Sequence, residues 1–219
     1  MSLLKRLFGK IKEDNIRNID QGAEATVLPE EETVVYREKT YHTVKIGNQI
    51  WLKENLDIGT MIPVNKSKTN DGKIAKYYYD TNPKNGEKYG GLYTWDEAMG
   101  YSTEEKAQGI CPPGWHIPTY DEYMELKAAV AKDGNALKAV GQGTGNGAGT
   151  NKSGFTAFLA GFLSPNGNYY GMGQYGIFWT SSSERNNEAV YMSIGDSIPA
   201  IDLNKIDRRS CYSVRCIKD

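Results

Sequence analysis

The chain has 219 residues, 39% of them apolar and 24% charged, and a formal net charge of −1. This balance excludes a global field that would draw in nucleic acid or an anionic membrane, and no apolar run of about 18 residues is available to span a bilayer as a helix. Tyrosine (15), tryptophan (4) and glycine (24) are conspicuous. Tyrosine joins a broad apolar face to a polar tip, which suits recognition surfaces as well as loop-rich cores.

Residues 1–20 read as a basic amphipathic helix, with Leu4, Leu7, Phe8 and Ile11 at helical spacing among Lys5, Arg6 and Lys10. Such a segment would dock onto a partner, a larger assembly or a membrane surface. Its cations break the apolar run and no small-residue cleavage site follows, so it does not read as a secretory signal and leaves a cytoplasmic location open. Residues 21–40 contain Pro29 and Glu30, Glu31 and Glu32, and read as an acidic linker with at most one short strand.

From Tyr41 the texture becomes that of one domain, 41–219. A Gly47-Asn48 turn joins two strands in which Val44, Ile46, Ile50 and Leu52 supply the alternation. Tyr77, Tyr78 and Tyr79 suggest another strand. Thr94 and Glu97 have capping-box spacing at the start of a helix, and Thr119 and Glu122 repeat it for a better-marked one that Gly134 would end. A glycine-rich stretch over 141–149 precedes short strands expected around 155–159, 177–179, 189–194 and 212–217. Two helices set among short strands predict an α+β domain with a small, mainly antiparallel sheet.

Catalytic readings fail on their own requirements. The phosphate-loop pattern needs glycine where Asn146 and Asn151 stand before Lys152. Only His42 and His116 are available as bases, and no nucleophile elbow is present. His116, between Trp115 and Ile117, reads as a packed or hydrogen-bonded residue. No cysteine–histidine set has zinc spacing. Asp71, Asp80, Asp196 and Asp202 lack the EF-hand pattern, so no cofactor is expected, with a loop-bound calcium left open. Of Cys111, Cys211 and Cys216, alternation in the last strand points Cys216 inward. Its mate would be Cys111, unless all three are free buried thiols in a reducing compartment.

The series GGLYTWDEAM, GICPPGWHIPTYDEYMEL, NKSGFTAFLAGF, FWTSSSERNNEAVYMSI and CYSVRCIKD resembles the Fibrobacter succinogenes major paralogous domain, from about Val44 to Asp219. The resemblance implies a C-type-lectin-like fold, with two helices flanking a small twisted sheet and terminal strands that pair. It implies scaffold roles for Trp115, Pro118, Thr119, Tyr123, Leu126, Phe155, Gly161, Trp179, Val214 and Arg215. Cys111 and Cys216 fall on the family's two cysteine positions, which favours a bridge between them. It further implies an extracellular or surface-attached protein.

On such a scaffold the expected function is non-enzymatic recognition of a glycan or protein receptor through loops. The expected ligand-binding residues are Asn166, Asn168, Tyr169, Tyr170 and Tyr175 in one loop region, and Arg185, Asn186 and Asn187 in another. The alternative is a structural or decorating component of a surface or phage-tail-like assembly, docked through residues 1–20. An oxidase related to formylglycine-generating enzymes would need a reactive cysteine pair at a metal site, and the best pair here looks structural.

Overall fold

A two-residue turn sets the first register of the domain. In a computed structural model of the chain, which describes residues 32–66, 70–184 and 187–219, strand β1 (Thr33–Tyr36) pairs with β2 (Lys39–Ile46), and β2 with β3 (Gln49–Leu52). Gly47 takes φ 61 between Ile46 and its partner Gln49. Positive φ at the first turn residue alone is the signature of the hairpin turn that matches strand twist. The expected helix over 1–20, and the linker as far as residue 31, lie outside the described residues.

The chain continues through β4 (Thr60–Met61), β5 (Ala75–Lys76), helix α1 (Pro83–Tyr89), β6 (Tyr93–Thr94) and a single helical turn, α2 (Trp95–Ala98). Then come β7 (Trp115–His116), α3 (Tyr120–Ala129), α4 (Gly134–Leu137), β8 (Ala160–Leu163) and β9 (Tyr169–Met172). The last elements are β10 (Tyr175–Ser183), β11 (Glu188–Gly195), β12 (Ile201–Asp207), β13 (Cys211–Tyr212) and β14 (Ile217–Lys218). They form four sheets, ordered β1-β2-β3-β14-β7, β10-β11-β12, β6-β13-β8-β9 and β4-β5.

This architecture corrects the expected α+β, C-type-lectin-like fold. Among the described residues the protein is mostly β, with fourteen strands in four sheets and four short helices, the longest spanning ten residues. Both expected helices form, but the capped segment at Thr94 lasts one turn: Gly100 and Tyr101 take positive φ just after it, and the Glu97 side chain, instead of closing the box, accepts from the Ala75 backbone N–H (2.8 Å) and the Tyr101 hydroxyl (2.9 Å). Thr119 and Glu122 close a full capping box on α3. Gly134 does not end that helix. The chain leaves it through Ala131 and Lys132, both at positive φ, and Asp133 then caps α4, which Gly134 begins.

Strand β10 explains how short strands hold a core. It is buried on both faces, and its alternation sends Ile177 and Trp179 into one apolar cluster and Phe178 into another. The first cluster gathers Tyr93, Trp95, Trp115, Tyr212 and Val214; the second gathers Trp51, Tyr123, Leu126, Phe155 and Met192. The C-terminal segment stitches the two together. Cys216 is bonded to Cys111 across 105 positions of sequence in the first cluster, while Ile217 lies in the second and pairs with both Trp51 and His116. Closing a loop of that size removes about 4.7 kcal/mol of unfolded-chain freedom in the entropy model.

Arg215 is the pin between these layers. It is fully buried, its Nε and Nη2 donate to Asn55 Oδ1 (3.1 and 2.7 Å), and its Nη1 donates to the carbonyls of Leu52 (3.1 Å) and Phe155 (2.6 Å). Its guanidinium lies 4.4 Å from the Phe155 ring centre. Burial lowers its pKa to about 10, which leaves it charged at neutral pH. Carbonyls and an amide, rather than a carboxylate, answer this cation.

Candidate functional site

The residues expected to bind ligand divide between the β8–β9 hairpin and the β10–β11 turn. In the first region only the turns over residues 164–168 and 173–174 are loop; Tyr169 and Tyr170 belong to β9, and Tyr175 opens β10. Alternation along β9 sends neighbouring side chains to opposite faces of the sheet. Tyr169 accordingly packs on Tyr79, with ring centres 5.1 Å apart, beside Tyr77, Leu163 and Cys211. Gly161, at φ 68, makes this possible, since a Cβ there would stand 2.7 Å from the Tyr79 ring.

Tyr170 takes the other face, opposite Phe162 in register. Phe162 lies 5.7 Å from both Tyr170 and Tyr212, and Tyr212 lies 4.5 Å from Trp179. A ladder of rings therefore runs from the buried core to the open edge of the sheet, where Tyr170 is 43% exposed. The Asn166 and Asn168 side-chain amides donate to its hydroxyl, both at 3.4 Å, and draw its pKa downwards. Tyr175, 47% exposed, rests its ring against Gly171. Tyr170 and Tyr175 thus present open faces, whereas Tyr169 is half-buried.

Of the second expected region, Arg185, Asn186 and Asn187, only Asn187 lies among the described residues; the chain leading into it belongs to β10. Ser181 and Ser182 are buried in β10. Ser181 Oγ accepts from the Lys106 backbone and donates to the Pro118 carbonyl, and Ser182 Oγ bonds Glu105 and accepts from the Tyr120 backbone. This serine cluster ties the chain before α3 to the sheet. Arg185 and Asn186 lie outside the described residues. Asn187 is exposed at φ 60, and its carbonyl accepts from the Arg208 backbone.

Three larger hollows can be weighed against the aromatic edge. Two clefts of about 520 and 510 Å³ flank the start of α3 and share Glu105 and Asp121. Most of their polar groups are already engaged: Glu184 with Lys205 (2.6 Å), and Glu122 with Lys106 and His116 (3.0 Å each). His116 also meets Asp219 through Nδ1 (2.6 Å). Burial disfavours its charge, but the two carboxylates outweigh burial and raise its pKa. The same contacts, with the Thr119 backbone and Lys106, overcome burial and lower Glu122 to about 2. This is a structural clamp joining α3, β7 and β14.

The third hollow, about 340 Å³, lies on the far side of the 164–168 turn from the Asn–Tyr170 contacts, and Ser164, Pro165 and Gly167 line it. Sequence reasoning missed it because its walls come from five separated segments. Cys211, at its floor, is a buried thiol whose pKa burial pushes well upwards, so it is unreactive as a nucleophile. Among the described residues no group of three His, Cys, Asp or Glu side chains is placed to hold a metal ion, and no helix is long and apolar enough to cross a membrane.

Residues 44–218 match the Fibrobacter succinogenes major domain. The chain belongs to that family. The matched span contains the second core, all of the first but Tyr41, the Cys111–Cys216 bridge, the aromatic ladder and the lining of the hollows except Asp219. No curated protein and no solved structure matches the chain. The scaffold positions implied by the family resemblance are buried, with Trp115 and Thr119 5% exposed and Tyr123, Phe155, Trp179, Val214 and Arg215 fully enclosed.

Proposed function

We propose that this family member is a non-catalytic recognition module that binds a glycan along the open edge of the β6-β13-β8-β9 sheet. The observation that carries this reading is the pair of exposed rings, Tyr170 and Tyr175, set on strands rather than on floppy loops and backed by Phe162 and Gly171. A sugar ring offers an apolar C–H face and a rim of hydroxyls. Rigid tyrosine faces suit the first, and the Asn166 and Asn168 amides suit the second. Little side-chain freedom remains to be lost on binding, which favours affinity.

A glycan is favoured over a protein because the exposed ring of Tyr170 has amide groups set beside its hydroxyl, which matches a sugar's apolar face and hydroxyl rim. The Cys111–Cys216 bridge supports an oxidising, extracellular setting as part of the same proposal. The test is a glycan-binding screen of the full chain against the variant Tyr170→Ala with Tyr175→Ala. Loss of binding is expected, and binding retained in the variant would remove this edge from consideration.

A further inference from the structure

The 340 Å³ cleft lies where three strands of the same sheet end side by side, because Cys211 is in register with Thr94 on one side and Leu163 on the other. The aromatic rings of Tyr77 and Tyr101 also line it. The charged side chains that line it are Lys66, Arg208, Arg209 and Asp96, three cations to one carboxylate; Asp207, paired with Arg209, and Glu97, on the Tyr101 hydroxyl, stand behind the lining. The two larger clefts, by contrast, carry mainly carboxylates.

Arg208 is the anchor. Its guanidinium is held 4.8 Å over the Trp95 ring, and Asp96, its one carboxylate partner among the described residues, is at 3.3 Å. Its Nε is buried, with no hydrogen-bond partner among the described residues, so the protein does not saturate the fork; 22% of the side chain stays exposed, and a ligand would have to meet the Nη groups there. A planar, pre-oriented, under-used guanidinium matches a carboxylate better than it matches any neutral group. Arg209 is 77% exposed and tied to Asp207, and Lys66 is exposed, which places further positive charge at the rim. The cleft volume suits about one or two sugar rings, at the small end of ligand sites.

One turn joins this cleft to the aromatic edge. Ser164, Pro165 and Gly167 face the cleft, while Asn166 and Asn168 reach Tyr170. We propose that the cleft binds a uronic-acid unit of an acidic glycan whose neighbouring sugar lies on Tyr170. The carboxylate meets Arg208, the ring lies among Tyr77, Tyr101 and Leu163, and Lys66 and Arg209 draw in the polyanion. This inference rests on the reading of the tyrosine edge as a glycan surface.

The experiment is titration calorimetry of the full chain with oligogalacturonate, with its methyl-esterified neutral counterpart and with poly-glutamate. Oligogalacturonate is expected to bind at least about tenfold more tightly than either of the others, and more weakly as salt rises. Arg208→Gln should weaken oligogalacturonate about tenfold or more and leave the esterified probe unaffected. Lys66→Gln with Arg209→Gln, both exposed and safe for folding, should act in the same direction. Tyr170→Ala with Tyr175→Ala should weaken both sugars alike. If only the tyrosine variant loses binding, the edge reading stands and the cleft inference falls. If only the charge variants lose it, the edge reading falls and takes the inference as stated with it, leaving a cleft that binds the acid without Tyr170. No oligogalacturonate binding at millimolar concentration, or equal affinity for poly-glutamate, overturns the inference.

Discussion

The surroundings of Arg215 and the outer edge of β9 are built from similar materials to opposite ends. Around Arg215, aromatic faces and hydrogen-bond acceptors are used up within the chain: Phe155 and Phe178 flank the guanidinium, and Asn55, Leu52 and Phe155 receive its protons. Along β9, Tyr170 is backed by one ring and two long amide contacts, and its remaining surface faces solvent. The same residue types give stability where their valences are closed, and on the reading proposed above they serve recognition where they are left open. Aromatic content alone therefore does not single out a candidate surface; unspent contact capacity does.

The largest effect should come from the closed region. Arg215→Leu orphans three acceptors in a site without water access, and about 3–5 kcal/mol should be lost in urea unfolding. A loss as small as that of a surface change would erase the contrast between the two regions. Next is the bridge: Cys111→Ser with Cys216→Ser should cost about 2–5 kcal/mol, read as a lower unfolding midpoint with folded-state contacts intact.

The clamp at α3 should show itself through pH. Glu122 has its pKa lowered from 4.5 to about 2, so its contribution is present above the unfolded value and drains away as pH falls through about 2. His116 is raised from 6.5, so its contribution is present below that value and lost as pH rises through the raised one. The two shifts describe one pair and are not summed. Wild type should exceed Glu122→Gln by up to about 3 kcal/mol at pH 6, and the gap should close towards pH 2. A gap that does not vary with pH would mean that the clamp carries no net charge interaction. Smallest of all, Tyr170→Ala with Tyr175→Ala should change stability by less than about 1 kcal/mol, since nearly half of each side chain already faces solvent.

Much of the local structure is legible where a residue type has one physical use. Gly47 at a hairpin turn and the Thr119–Glu122 pair at a helix start were such cases. The β1–β2 turn was not, because Arg37 and Glu38 both adopt positive φ without any glycine or asparagine to announce it. The strand expected over 155–159 forms instead at Ala160–Leu163. Phe155, Ala157 and Leu159 alternate like a strand but spend that alternation on the core, with a single bridge from Ala157 to Lys138. Strand β12 was missed because its exposed Asp202, Asn204 and Lys205 mask the alternation. At the site, the tyrosines of β9 were legible as residues, and their division between two faces follows from the strand period. The cleft was not, since Lys66, Tyr101, Leu163 and Arg208 meet only through sheet topology.

The most direct test of an open edge on a closed scaffold measures both properties on one variant. Tyr170→Ala with Tyr175→Ala should lose glycan binding in the screen while its unfolding midpoint stays within a few degrees of wild type. Binding retained at full strength, or lost only together with the fold, would contradict the account.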